Sequence, residues 1–166
     1  SHSWFGLAVA GAAIFLPQSL GEEMVTRGYL FAALRDAIGW WGALFATSLG
    51  FGLLHYANPG ANVRSVSVVI LAGVFLGAIL IATRSLYAAW MAHFAWNWSM
   101  AEVMHAAVSG IRFPYSTYRM DDAGPAWLTG GSWGPEGGVA AAAGMLAGIA
   151  VLIAWRRRAA RGEIAA

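Results

Sequence analysis

The chain has 166 residues, of which 59% are hydrophobic and 11% are charged, and its formal net charge is +2. Soluble domains carry about 25% charged residues, so this composition excludes an ordinary soluble protein and indicates one embedded in a membrane. The sequence contains no cysteine and no lysine, which excludes a thiolate nucleophile, a sulfur-ligated metal and serine–lysine catalysis. It also has no Walker pattern and no Gly-x-Gly-x-x-Gly pattern, so we expect no nucleotide and no nucleic-acid partner.

The first predicted segment runs from Trp4 to Leu34, which is longer than the roughly 20 residues that cross a bilayer perpendicularly. Pro17 and Gly21 lie where a break in this helix is expected, and Arg35 and Asp36 are predicted to form a polar turn after it. No basic stretch precedes the apolar run, so we expect no cleavable signal peptide.

Three charged residues, Glu22, Glu23 and Arg27, lie inside this apolar segment. A charge at the bilayer centre costs about 2.5–3.5 kcal/mol on insertion scales, so such a cluster requires a physical reason. Glu23 and Arg27 are spaced to share one helix face and can form an ion pair. Glu22 points about 100° away from that pair. We therefore predict that Glu22 is the carboxylate left free for chemistry.

The rest of the chain contains further apolar segments separated by turn signals. They are residues 40–56, which end before an Asn-Pro-Gly turn, 66–82, 86–104 and 139–155. Gly73 and Gly77 are spaced for close helix packing. Residues 105–138 are predicted to form a polar loop rich in glycine and proline. We predict a polytopic, all-α transmembrane bundle with about five to six membrane segments, forming a single domain over residues 1–166 with its core motifs in residues 20–100.

The arginines are distributed unevenly between the two sides of the predicted bundle. Arg35, Arg84 and the cluster at residues 156–161 fall on one side if the segments alternate. Because arginine excess marks the cytoplasmic side, we predict a cytoplasmic C-terminus. The membrane is expected to be the inner (cell) membrane of a bacterium or archaeon. The same bias places His55, at the end of the second segment, on the non-cytoplasmic side.

Histidine and asparagine side chains also occur at helical spacing inside the apolar segments. His55 shares a face with Phe51, and His93 shares a face with Asn97. Intramembrane ionisable groups normally face the bundle interior or a wet cavity, so Glu22 and these polar side chains are expected to converge on one pocket. There, a carboxylate can act as a general base on water, one imidazole can hold that water, and the other can join the asparagine amide in donating hydrogen bonds to an oxyanion.

The order of these motifs is similar to that of a known family. The pattern Glu-Glu-x-x-x-Arg, then Phe-x-x-x-His, then His-x-x-x-Asn resembles the CAAX-protease and bacteriocin-processing (Abi) family of intramembrane endopeptidases. The matching residues are Glu22, Glu23, Arg27, Phe51, His55, His93 and Asn97. Residues 133–137 also resemble a Phe-Gly-Pro-Glu-Gly stretch of some bacterial members, and Glu136 within them is expected to anchor the loop to the bundle.

The resemblance implies a role for each matching residue. Glu22 activates water, His55 helps to hold it, and His93 and Asn97 form the oxyanion site. Glu23, Arg27 and Phe51 support this geometry. This mechanism needs no cofactor; a zinc ion held by Glu22, His55 and His93 is the less favoured alternative.

The resemblance also implies a membrane-associated or lipidated protein or peptide as substrate, within the lipid bilayer. Eukaryotic members act on the cytosolic side, whereas the arginine bias places His55 on the other side. The CAAX substrate itself is therefore not carried over to this chain.

Two other classes of function stay open at this stage. A transporter or proton-relay subunit would pass protons through Glu22, His55 and His93, but it needs no Asn97 beside His93. A catalytically silent regulator of the same family would bind another membrane protein and would keep its function when Glu22 becomes Gln. The intact set of motif residues favours an active peptide hydrolase over both.

Overall fold

The computed structural model describes residues 4–113, 120 and 123–163. Within them all regular structure is helical apart from one isolated bridge between Val108 and Ile111. The predicted all-α helical bundle is therefore confirmed. The two ends of the chain, and residues 114–119 and 121–122 of the predicted polar loop, lie outside the described residues.

The first helical stretch does not break where a break was expected. Helix α1 (Trp4–Glu23) continues through Pro17 and Gly21, passes into a π-helical turn (Met24–Leu30) and then into α2 (Phe31–Leu54). Proline is tolerated inside membrane helices because neighbouring groups satisfy the carbonyl that loses its donor. As a result, the end of α1 carries both glutamates into the middle of the bundle.

The kink in this stretch lies at Gly39, not at the predicted turn of Arg35 and Asp36. Gly39 has φ 75° and ψ 174°, a conformation that glycine adopts without strain. Arg35 and Asp36 stay helical, pair at 2.8 Å, and the Arg35 guanidinium lies 5.3 Å from the centroid of the Trp40 ring. The turn prediction was wrong because an exposed charged pair can be satisfied on a helix, whereas this kink requires glycine.

The remaining helices follow the predicted order. A 3₁₀ turn ends α2, and after it come α3 (Val63–Thr83), α4 (Leu86–Trp98) with a π-helical turn (Ser99–Val103), the short α5 (Ala126–Thr129) and α6 (Val139–Ala160). Asn62 begins α3 with a capping box in which it and Ser65 bond each other reciprocally, and Ser85 caps α4.

Three helical stretches are long and apolar enough to cross a membrane, namely Trp4–Ala57, Val63–Thr83 and Val139–Ala160. The first contains the kink at Gly39 and so provides two segments. Helix α4 packs against both α1 and α3 and therefore runs through the same bundle. With the first stretch divided at Gly39 and α4 included, the described chain has five long helical segments in the bundle, in agreement with the predicted number of about five to six.

Helices α2 and α3 approach closely at the predicted glycine pair. A Cβ atom added at Gly73 would lie 2.9 Å from the backbone of Ser48, and one added at Gly77 would lie 2.3 Å from the side chain of Leu44. Small residues permit such contact because no side chain separates the two backbones. The approach brings the carbonyl of Gly73 to the guanidinium of Arg27, where it accepts a hydrogen bond of 3.1 Å.

Helices α1 and α4 are joined by indole N–H groups that donate to backbone carbonyls. Trp98 donates to the carbonyl of Ala8 at 2.9 Å, and Trp90 donates to that of Leu16 at 3.0 Å. Such bonds keep the polar edge of an indole satisfied inside an apolar bundle. They hold the two helices that carry the glutamates and the His93–Asn97 pair side by side.

Candidate active site

A single cavity of about 800 Å³ receives the candidate catalytic side chains of three helices. Glu22 comes from the end of α1, Phe51 and His55 from the end of α2, and His93 and Asn97 from one face of α4. Most of the other lining side chains are apolar. Glu23 and Arg27 lie behind the cavity wall. The structure therefore shows that these side chains converge on one pocket, as predicted.

Glu23 and Arg27 form a closed ion pair in the bundle interior. Arg27 Nη1 lies 3.0 Å from Glu23 Oε1, and neither side chain is exposed. The guanidinium also donates to Thr26 Oγ1 at 2.8 Å and lies 4.4 Å from the centroid of the Phe51 ring. Buried charges persist when they are paired and hydrogen-bonded. This pair is ionic and hydrogen-bonded, and of its polar atoms Glu23 Oε2 and Arg27 Nε have no hydrogen-bond partner among the described residues.

His93 lies between the two glutamates. Its Nδ1 is 2.9 Å from Glu23 Oε1, and its Nε2 is 3.9 Å from Glu22 Oε2. Glu23 Oε1 already accepts from Arg27, as an ionised carboxylate does, so it accepts from His93 as well and the Nδ1 atom carries a proton. This hydrogen bond fixes the ring so that Nε2 is the nitrogen nearer to Glu22.

Glu22 has the less enclosed environment of the two glutamates. Its side chain is 33% exposed, whereas that of Glu23 is fully buried. One carboxylate oxygen, Oε1, accepts a hydrogen bond from Gln18 Nε2. The other, Oε2, has no hydrogen-bond partner within the described part of the chain. That second oxygen is itself buried, so its capacity to accept a hydrogen bond is unused by the described protein groups.

Gln18 is a site residue that the sequence reading missed. Its Oε1 accepts a hydrogen bond of 3.3 Å from Asn97 Nδ2, while its Nε2 donates to Glu22. Gln18 thereby links α1 to the asparagine of α4. The signal was present in the sequence, because Gln18 is a polar residue in an apolar run, one helical turn before Glu22.

His55 lines the cavity from the 3₁₀ turn at the end of α2. Its Nδ1 lies 2.8 Å from the carbonyl of Phe51, and the two rings are in contact at a tilt of 52°, with centroids 4.7 Å apart. Because a carbonyl only accepts, Nδ1 carries a proton, and in the neutral ring Nε2 is then an acceptor. Among the described residues no hydrogen bond or ion pair joins His55 to Glu22, so any link between them passes through a molecule in the cavity.

The predicted polar loop covers one side of the cavity and is held by Glu136. The Glu136 carboxylate accepts from the backbone N–H and hydroxyl of Ser109, the latter at 2.6 Å, and from the indole N–H of Trp96 at 3.3 Å. Asn58, just after His55, donates to the carbonyl of Ser109 at 3.1 Å. Glu136 thus contacts both the loop and α4, as an anchor does.

The alternative of a zinc ion held by Glu22, His55 and His93 requires these three side chains to lie close enough together to bind one metal ion. In the part of the chain that the structure describes, no three His, Asp or Glu side chains form a group able to hold a metal ion. Glu22, His55 and His93 therefore do not form a ready ligand set in this geometry. A mechanism without a metal stays a prediction that requires a direct test.

The fold and the cavity define an integral membrane protein whose bundle encloses two carboxylates, two imidazoles and three amides. The model of the family described as type II CAAX prenyl endopeptidase, Rce1-like, matches residues 4–99. The chain belongs to this family of intramembrane endopeptidases, whose substrates are membrane-associated proteins. The match extends over all seven motif residues and ends just after Asn97. No curated protein and no solved structure matches the chain.

Proposed function

We propose that this chain hydrolyses a peptide bond of a membrane-associated or lipidated protein by means of water activated by Glu22. The observation that carries the proposal is Oε2 of the cavity-lining Glu22, a buried carboxylate oxygen that accepts no hydrogen bond from the described residues and lies 3.9 Å from His93 Nε2. A carboxylate oxygen without a protein partner, in a cavity that also holds two imidazoles, is placed to accept a proton from water.

The proposed reaction has two steps. As the water oxygen bonds to the peptide carbonyl carbon, Glu22 takes a proton from the water, and His55 Nε2 accepts the other water hydrogen as a hydrogen bond. The carbonyl oxygen becomes an oxyanion. Glu22 then passes its proton to the leaving nitrogen as the carbon–nitrogen bond breaks, giving a carboxylic acid and an amine. Both protons of the water are thereby accounted for.

Asn97 and His93 are proposed to stabilise the oxyanion. The Nδ2 group of Asn97 has a second hydrogen beyond the one given to Gln18. His93 donates through Nε2 only in its imidazolium form, because Nδ1–H is engaged by Glu23. Each preorganised donor of this kind contributes about 2.7–4 kcal/mol to transition-state stabilisation.

The first test is cleavage of a fluorogenic peptide that ends in an apolar membrane segment, with and without an attached lipid, by detergent-solubilised protein. We expect Glu22→Gln to lower the rate by about 10²–10⁴-fold, since that is the contribution of a general base. Glu163→Gln, an exposed carboxylate near the C-terminus, is the matched control and should leave the rate unchanged.

The same assay separates the alternatives. Cleavage that survives a chelator supports activation of water by the glutamate alone, whereas loss in chelator places a metal between Glu22 and the histidines. Equal cleavage by wild type and Glu22→Gln would overturn the mechanism. Detergent micelles hold no proton gradient, so cleavage there also argues against a proton relay.

We also propose that the C-terminus is cytoplasmic and that the cavity lies toward the other face, in a bacterial or archaeal inner membrane. Helix α6 begins just after Glu136, beside the cavity, and ends among Arg156, Arg157 and Arg158, about 30 Å away. Arginine excess marks the cytoplasmic side. The chain has no cysteine, so single cysteines report on topology. In intact cells an impermeant thiol reagent should label Ala123→Cys and spare Ala160→Cys; the reverse pattern contradicts this orientation.

A further inference from the structure

Gln18 contacts two of the proposed catalytic groups at once. It lines the cavity from α1 and is exposed there. Its Nε2 donates to Glu22 Oε1, and its Oε1 accepts from Asn97 Nδ2. A side chain at this position serves neither the hydrophobic packing of α1 nor the closed pair of Glu23 and Arg27, so its polar contacts require another reason.

The carboxylate of Glu22 fixes the orientation of the Gln18 amide, which in turn fixes that of the Asn97 amide. An ionised carboxylate only accepts hydrogen bonds, so Gln18 must present its NH₂ group to Glu22 and its oxygen to Asn97. An amide oxygen also only accepts, so Asn97 must present its NH₂ group to Gln18. The charge of Glu22 therefore determines which end of the Asn97 amide lies on this side, through Gln18.

We propose that Gln18 is a positioning residue that links the general base to the oxyanion site. It holds Glu22 Oε1 and so leaves Oε2 as the oxygen that meets water. It also keeps the Asn97 NH₂ group oriented toward the cavity, where its second hydrogen is available to an oxyanion. This inference rests on the proposed function.

Loss of the link has a specific chemical consequence. Without Gln18 the Asn97 amide can turn over and present its oxygen to the developing oxyanion, which replaces a hydrogen-bond donor with a repelling acceptor. Glu22 at the same time loses the contact that distinguishes its two oxygens. Both effects act on the transition state more than on the bound substrate, so they should lower kcat and change KM little.

The test is a double-mutant cycle of Gln18→Met and Asn97→Ala, with kcat and KM measured on the fluorogenic membrane peptide. Methionine keeps the volume of glutamine and removes both hydrogen bonds. We expect Gln18→Met to lower kcat about 10- to 100-fold, the scale on which misplaced groups act, with KM within about threefold of wild type. In the Asn97→Ala background the same change should have a clearly smaller effect, because the two residues act through one another.

Val9→Met serves as the matched control, because it places methionine at an exposed position of α1 that does not line the cavity. Melting temperatures of all variants in detergent should stay close to wild type. Additive effects in the cycle, or a wild-type kcat for Gln18→Met, would overturn the role of Gln18. If Glu22→Gln also retains activity, the proposed function itself fails; if only Gln18→Met does, this inference alone fails.

Discussion

Glu22 and Glu23 are adjacent in the sequence, yet they lie in two different regions of the molecule. Glu23 faces a closed cluster in which Arg27 and His93 both donate to the same carboxylate oxygen, and it is fully buried. Glu22 lines the cavity, is partly exposed, and has one oxygen that accepts no hydrogen bond from the described residues and lies 3.9 Å from His93 Nε2. A rotation of about 100° around the helix thus separates a charge used to hold helices together from a charge left available to a ligand.

This difference shows how a bundle can carry two carboxylates in an apolar environment. The cost of burying Glu23 is offset by its cationic partner and by the hydrogen bonds around that partner. Glu22 avoids the full cost by facing the cavity. The two regions share His93, which contacts Glu23 through one nitrogen and lies near Glu22 through the other. The closed cluster therefore also orients a side chain of the cavity.

The largest expected effect is on the free energy of unfolding, which should respond very differently to the loss of charge at Glu23 and at Glu22. Glu23→Gln leaves Arg27 buried without a counter-ion, and we expect it to lower the free energy of unfolding by about 3–5 kcal/mol, the usual cost of breaking a buried pair. Glu22→Gln should change it by less than about 1 kcal/mol, because its carboxylate is partly solvated. Equilibrium unfolding of the purified protein in mixed micelles measures both values. If the two variants were destabilised equally, the two glutamates would not differ in how much their charge contributes to stability, and this prediction would be wrong.

A smaller effect tests the geometry of the closed cluster while keeping its charge. Arg27→Lys retains a cation beside Glu23 but cannot also donate to the carbonyl of Gly73 or stack on Phe51. We expect a loss of about 1 kcal/mol, the net value of one hydrogen bond, measured in the same unfolding experiment. Arg35→Lys, in the exposed pair with Asp36, is the control. It should leave the free energy of unfolding almost unchanged. If Arg27→Lys left the free energy of unfolding unchanged, the positive charge alone would be enough to hold the cluster together.

Much of the site could be predicted because it depends on helical spacing. The pairing of Glu23 with Arg27, and the different direction of Glu22, follow from residues that lie one turn apart or adjacent on one helix. The grouping of Glu22 with His93 follows from the rule that buried polar groups face one another. The roles assigned to these residues in catalysis stay predictions.

Other features could not be predicted because they depend on contacts between helices. The role of Gln18 appears only when α4 brings Asn97 within hydrogen-bond distance. One π-helical turn follows directly after the glutamate pair and the other begins two residues after Asn97, and an apolar sequence does not indicate where a helix widens. The predicted turn at Arg35 and Asp36 does not form, and the break lies at Gly39, where the freedom of the glycine backbone decides its position.

The hydrogen bonds from Trp90 and Trp98 to α1 have a consequence for how this sequence can evolve. Their acceptors are the main-chain carbonyls of Leu16 and Ala8, and every amino acid carries such a carbonyl. These two hydrogen bonds therefore do not depend on which side chains occupy positions 8 and 16. The constraint falls instead on the two tryptophans, whose replacement removes the donor. These hydrogen bonds help to set the distance between Glu22 and His93. A substitution on α1 keeps the acceptor carbonyls, whereas replacing either tryptophan on α4 removes a donor.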